Sequence, residues 1–425
     1  MFPKSCPLFI RLINGDFGVY ILVKLAIEGG EPVRREKIPI ASLMLGEGEE
    51  KAVIEVLRSG YLVQGEVVEK FEKEFAKFNG VTHAIAMNSG TAALHIALQA
   101  LKILPGDKII APPYTFSASA TAALFLGGIP VFVDINPESF NIEPEKIEKA
   151  ITKKTKGIIP VHLFGLPADM DPIKEVAEKH DLFILEDAAQ AHKALYKDRM
   201  VGTFGDVAIY SFYATKNMTT GEGGMIVTDD DEIAEKCRII RDQGQKGKYN
   251  HVLLGYNYRM TNIMAAIGLK QLEKLPYFTE KRQEFSRKLS KELEKIGELI
   301  KPPKEPEGYE HVYYLYACLL KEKSGWERDD FIKALEAEGI SARPIYTTLL
   351  YQQPLYENIK DPNIYPYAEM IKNFLPNYKE VKCPIAEETT KKVIQLPMHP
   401  KLTKKDLQDI ITAIEKLILQ KKKEN

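Results

Sequence analysis

Apolar residues recur three or four apart in GEEKAVIEVLRSG (48–60) and in EVVEKFEKEFAKFNG (66–80), where Val67, Val68, Phe71, Phe75 and Phe78 form one stripe. That spacing predicts two amphipathic helices, closed by Gly60 and Gly80. The texture then switches. HAIAMN, KIIAPP, IPVFVDI, GIIPVHLF, LFILED, VAIYSF and GGMIVTD are short β-branched or aromatic runs. Between most of them lie helical stretches such as SGTAALHIALQAL, IEPEKIEKAITKK and MDPIKEVAEKH. Strand, helix, strand repeated this often predicts an α/β fold with a mostly parallel central sheet flanked by helices.

After Met260 a long, highly charged helical region runs to about residue 297, followed by the Pro-rich stretch KPPKEPEG. Strand, helix, strand and a closing helix then predict a smaller C-terminal α+β domain over 275–425, after a large domain over 36–274. Residues 1–35 read as an N-terminal extension. Compact-looking sequence begins near Leu25, which marks the first 22 residues as a candidate gene-model extension. Their apolar clusters are broken by Arg11, Asp16 and Lys24, and no run approaches the roughly 20 residues of a membrane span.

Composition narrows the function classes. Lys+Arg 58 against Asp+Glu 59 leaves a formal charge of -1, so no global basic field gathers nucleic acid. Four cysteines, far apart and without a CxxC, fit a reducing, cytoplasmic setting and argue against a zinc site.

Ligands of parallel α/β sheets bind beyond the carboxyl ends of strands. Those ends carry Ser89-Gly90-Thr91 at a helix start, Tyr114 after KIIAPP, His162, Asp187 with Gln190 and His192 one turn on, and Ser211 followed by Lys216. The helix start suits a phosphate, or is an ordinary capped helix. GxxxxGK[ST] and GxGxxG are both absent. Asp187 reads as a helix cap, a metal ligand or an electrostatic partner, and no neighbour stands at metal-ligand spacing. A carboxylate at such a place can keep a ring nitrogen protonated. Lys216, hedged by hydroxyls and followed by a Gly-rich turn, can attack a carbonyl when neutral. Together a lysine, an acid, a helix cap with hydroxyls and an aromatic match the needs of pyridoxal 5'-phosphate (PLP).

The chain resembles the sugar aminotransferases of the DegT/DnrJ/StrS type, of PLP fold type I, from about residue 36 to 415. The resemblance rests on NSGTAALHIAL, GDKIIAPPYTFSASA, GIPVFVDI, PVHLFGLPADM, LEDAAQAHKA, GDVAIYSF, TKNMTTGEGGM, GYNYRMTNIMAAIGLKQL and LPMHP, nine motifs in register. It implies that Lys216 is the Schiff-base lysine and proton shuttle and that Asp187 pairs with the pyridine nitrogen. Gln190 would approach the ring, Tyr114 would stack on it, and Gly90, Thr91 and Ser211 would hold the phosphate. Asn257 would reach the phosphate of a neighbouring subunit, implying a homodimer with shared active sites. Arg259 would order that loop or touch an anionic ligand. His162, His192 and Tyr346 are candidates for contacting the sugar, or are packed residues. Lys193 stands where the family usually has glycine, and either alters the sugar-side wall or points to solvent.

The reaction so implied moves an amino group from L-glutamate, or L-glutamine, to a keto-sugar carried on a nucleoside diphosphate. A keto-cyclitol of the scyllo-inosose type is an alternative acceptor, suggested by the opening LAIEGGEPVR. A sugar dehydratase of this fold would carry histidine in place of Lys216. A regulator would need a helix-turn-helix or a clustered basic face, and neither is present.

Overall fold

The computed structural model describes residues 24–296 and 299–424. The expectation for residues 1–22 therefore lies outside the described residues. Two helices open the compact part, α1 (Glu47–Ser59) and α2 (Glu66–Asn79), each stopped by a glycine with φ near +70° (Gly60 at 75°, Gly80 at 71°). Seven strands follow: β1 (His83–Met87), β2 (Lys108–Ala111), β3 (Ile129–Phe132), β4 (Thr155–Ile158), β5 (Phe183–Asp187), β6 (Val207–Ser211) and β7 (Gly224–Thr228). They make one sheet in the order β1-β7-β6-β5-β4-β2-β3. All pairings are parallel except those of β7, which is antiparallel to β1 and β6.

Alternation along the strands sorts the helices into two layers. Ile85, Met87, Val207, Ile209 and Ile226 pack with helix α3 (Gly90–Ala100). Ala84, Ala86, Ala208, Tyr210, Met225 and Val227 face the other way, against Phe71 and Phe75 of α2 and Leu272 and Leu275 of the long helix α4 (Asn262–Ile296). Burial on both faces is why these strands read as continuous apolar runs.

The C-terminal part carries a three-stranded antiparallel sheet: the short strand Ile300–Lys301, β8 (Tyr316–Leu320) and β9 (Val393–Leu396). Its core joins Phe331, Ile394, Ile410, Ile414 and Leu417, the last three from α5 (Lys404–Glu424), with Leu289 of α4. Leu25 and Ile38 belong to the same core. The segment before α1, read from sequence as an extension as far as residue 35, is thus docked from Leu25 onward. The Glu338 carboxylate, fully buried, holds it by accepting from the Ala26 and Val33 N–H groups (2.8 and 3.0 Å). The Lys416 ammonium completes the arrangement, donating to Glu338 and to the Glu31 carbonyl, both at 2.8 Å.

Residues 347–392, which the sequence pattern left without elements, form short helices and an aromatic cluster. Tyr351, Tyr356 and Tyr378 surround Phe132 of β3, and the Tyr378 hydroxyl donates to the Pro130 carbonyl at 2.7 Å. The edge strand β3 is thereby covered rather than open to a foreign strand.

Removing one partner of a buried ion pair leaves the other charge unpaired, at a cost of about 3–5 kcal/mol. Glu338→Ala is expected to lose about that much in urea unfolding, while Lys153→Ala, on an exposed lysine, should change stability little.

Candidate functional site

The strand ends converge because β5, β6 and the start of α3 are neighbours. Ser89 caps α3, its hydroxyl accepting from the Ala92 N–H at 3.1 Å. Gly90 begins the helix against Ser211 at the end of β6. A Cβ on Gly90 would stand 2.9 Å from that of Ser211, so only glycine lets the two approach this closely. On the other side, a Cβ on Gly224 would fall 2.5 Å from the Ser89 carbonyl oxygen. The free N–H groups of the first turn, including that of half-buried Thr91, are gathered beside a serine hydroxyl.

Lys216 lies on the loop between β6 and β7. That loop is tied to itself: the Phe212 carbonyl accepts from the Thr220 N–H and the Thr219 hydroxyl, both at 3.0 Å, and the Lys216 N–H donates to the Tyr213 carbonyl at 2.9 Å. The Lys216 ammonium is 4.3 Å from the centre of the Tyr314 ring.

Asp187 ends β5, is 4% exposed, and accepts from the Ser119 hydroxyl (2.7 Å) and the Ala189 N–H (3.1 Å). Burial raises its pKa above the ordinary carboxylate range, although those two donors and the charge of Lys216 pull the other way. Lys216 and Asp187 thus sense each other across the strand ends. Neighbouring Glu186 is also buried but stays ionised. Burial opposes the charge, yet His162 and the Gly202 and Gly205 N–H groups more than offset it, and the Phe204 N–H donates as well.

Not every residue expected at the site is free to act there. Tyr114 was expected to stack on a ligand ring, but it is 0% exposed and walled edge-on by Phe140, Phe164 and Tyr346. Its hydroxyl donates to the Ile345 carbonyl at 3.2 Å. The exposed ring on this strand end is Phe116, two residues on, at 59%. His162 is sealed as well. Its Nδ1 accepts from the Ala168 N–H and its Nε2 bonds Glu186, both at 3.0 Å, which leaves no ring nitrogen for a sugar. His192 is buried against Tyr210 and Phe212, and burial with the charge of Lys216 drives its pKa down to about 3, so it is neutral.

Gln190 and Tyr346 do meet: the Gln190 amide donates to the Tyr346 hydroxyl at 3.0 Å, and its carbonyl accepts from the Phe164 N–H at 2.7 Å. Tyr346 also lines a cleft of about 720 Å³ with Thr115, Phe116, Ser117, Thr347 and Thr348. Asn257 is exposed, and Arg259 is ion-paired with Asp242. Lys193 is half-buried with φ at +68°, a region that costs a side-chain-bearing residue roughly 1 kcal/mol and explains why glycine suits the position. Sequence reasoning placed Phe116 at a strand end but gave it no role, and it missed Ser119 and Tyr314. Phe116 stood in a run already assigned one aromatic, Ser119 among small residues, and Tyr314 inside a stretch read as strand, whereas β8 begins only at Tyr316.

The family model described as the DegT/DnrJ/EryC1/StrS aminotransferase family matches residues 44–415. The GDP-perosamine synthase of Caulobacter vibrioides is 39% identical over 386 residues, covering 90% of this chain and 99% of that protein. A protein of Geobacillus stearothermophilus named "Pleiotropic regulatory protein" is 40% identical over 362 residues, covering 85% and 91%. The crystal structure of DesV from S. venezuelae superposes with a TM-score of 0.81 at 33% identity, covering 90% of this chain and 99% of that one. No helix among the described residues is long and apolar enough to cross a membrane. With a match spanning most of its length, the chain belongs to the DegT/DnrJ/EryC1/StrS aminotransferase family and is a PLP-dependent aminotransferase.

Proposed function

We propose that the protein transfers an amino group from L-glutamate to a keto-hexose linked to a nucleoside diphosphate, working as a homodimer. The observation that carries this reading is the placement of Lys216 beside a buried, doubly hydrogen-bonded Asp187 on one sheet edge. The residues present fit PLP. Lys216 supplies the amine for its aldehyde, and Asp187 the partner for its pyridine nitrogen. The Gly90–Thr91 N–H groups and Ser211 form a cradle for its phosphate, which a Cβ at position 90 would fill. Bound there, PLP supplies the electron sink that lets a carbon–hydrogen bond next to nitrogen break.

The chain's own residues do the rest. Lys216 holds the cofactor and moves a proton at Nζ. Ser119 and the Ala189 N–H fix the orientation of Asp187, and its burial keeps water from it. Phe116, rather than Tyr114, is the ring free to lie on the cofactor face. Tyr346, with Gln190 behind it, forms the inner wall of the cleft that receives the acceptor. A nucleotide-linked acceptor agrees with the names of relatives such as GDP-perosamine synthase. Exposed apolar side chains on and after α1 (Ile54, Leu57, Tyr61, Val63) and near Asn257 (Val252, Leu254) support a second copy covering this side. Asn257 would then reach the phosphate site of that copy.

Absorption spectroscopy tests the reading. L-glutamate should bleach the yellow PLP-loaded protein, and Lys216→Ala should not convert; equal behaviour of the two would refute the role of the lysine. Phe116→Ala is expected to weaken PLP retention about 3- to 10-fold in equilibrium dialysis. Tyr114→Phe should leave retention within about twofold.

Asp187→Asn should cost about 10²-fold or more in turnover, yet stabilise the cofactor-free chain. Burial raises the pKa of Asp187, so its charged form is the disfavoured one. Cofactor-free wild type therefore loses stability as pH climbs from about 4 through that raised value. The melting temperatures of the two proteins should coincide at low pH and separate in favour of Asn by pH 8.

A further inference from the structure

The contact between Lys216 and Tyr314 belongs to none of the roles given so far. We propose that the face of the Tyr314 ring is the seat that Lys216 Nζ takes when it carries a proton and is not joined to the cofactor. The proposal rests on Lys216 being the reactive amine, and goes beyond it in naming the group that manages its proton.

Nζ lies 4.3 Å from the ring centre, within the range of a cation–π contact, and forms no ion pair with a carboxylate among the described residues. The ring cannot drift. Its hydroxyl is 3.0 Å from the Thr215 hydroxyl, beside Lys216 itself. The segment carrying it is stitched to three elements. The Val312 N–H donates to the Gly165 carbonyl (3.0 Å), and the Asn217 amide to the Val312 carbonyl (3.0 Å). From α4, buried Arg282 donates to the Tyr313 carbonyl at 3.1 Å.

The other groups facing this amine give it no closer partner. Asp187 and His192 act on it from the β5 end without a hydrogen bond. Arg282 lines a small cavity with Lys216, Phe278 and Pro400, and Arg343 acts on Tyr314 from beyond. Amino transfer needs Nζ to accept a proton and return it. A carboxylate would hold the ammonium in a strong charge-assisted hydrogen bond. Tyr314 offers it the ring face and, at the ring's edge, a neutral hydroxyl shared with Thr215 rather than a carboxylate, so Nζ can swing away with its proton. Tyr314 is in this sense a positioning residue for Lys216.

The test uses the full chain freed of PLP, competitively acetylated with trace acetic anhydride and read by mass spectrometry at Lys216 against exposed Lys153. At pH 8 only uncharged amines react. Tyr314→Leu should therefore react about three- to tenfold faster at Lys216 than wild type, while Tyr314→Phe, which keeps the ring, stays within about twofold. Above the titration of a free lysine, at about pH 10.4 and beyond, the ratio of Leu variant to wild type should fall to about one. An unchanged or slower Leu variant would overturn the proposal. So would a Phe variant as fast as Leu, or a ratio that persists at high pH, since the last marks mere loosening of the loop. Borohydride reduction of the PLP-loaded wild type, with the adduct mapped by mass, tests the identity of the reactive lysine separately. An adduct at Lys216 with failed acetylation results refutes the ring seat alone.

Discussion

A carboxylate kept out of water at the end of a parallel strand is the constraint on which the site depends. Among the described residues Asp187 has two donors, Ser119 and the Ala189 N–H, and no cation at bonding distance to offset its desolvation. The cofactor-free fold bears that cost, and it is the kind of local destabilisation that a protein retains where chemistry requires it. The contrast with Glu186, one residue earlier, is instructive. Backbone N–H groups from residues 202, 204 and 205 and His162 satisfy that carboxylate and make it structural. Adjacent residues on a strand point to opposite faces, so the chain can carry an acid held by four donors on one side and one held by two on the other.

Sheet topology brings the lysine to this acid. β5 and β6 pair in parallel, with Asp187 opposite Ile209, and β6 turns back through an antiparallel hairpin into β7 instead of crossing over through a helix. The hairpin loop therefore stays at the strand ends, above Asp187, and carries Lys216 with it. The same reversal places Gly224 under the Ser89 carbonyl, which seats the start of α3 beside Ser211. One strand running against the rest thus fixes both the lysine loop and the helix cradle.

The alternation of strands and helices was legible because fully buried strands read as apolar runs and surface helices as stripes. The strand-end residues stood out as a group for the same reason. Three things were hidden. The direction of β7 was not readable from its residues, because the twelve residues between Ser211 and Gly224 are long enough for a crossover as well as for a hairpin loop. Tyr114 and Phe116 are both aromatic in one turn, and only the packing of Phe140, Phe164 and Tyr346 decides which ring is used up in the core. The docking of residues 25–38 depends on Glu338 and Lys416, some three to four hundred residues away, a separation that local periodicity does not span.

The aromatic layer over β3 separates two tasks within the molecule. Strand ends, hairpin and helix start are built on the sheet, whereas the outer cleft wall at Thr347 and Thr348 precedes an aromatic cluster of Tyr351, Tyr356 and Tyr378 packed on the edge strand β3. Substitutions at Thr347 and Thr348 would change the lining of this cleft without altering Lys216, Asp187 or the donors that Asp187 accepts from. Diversification of this architecture towards new acceptors can therefore proceed by exchanging a peripheral facing, with the reactive centre inherited whole.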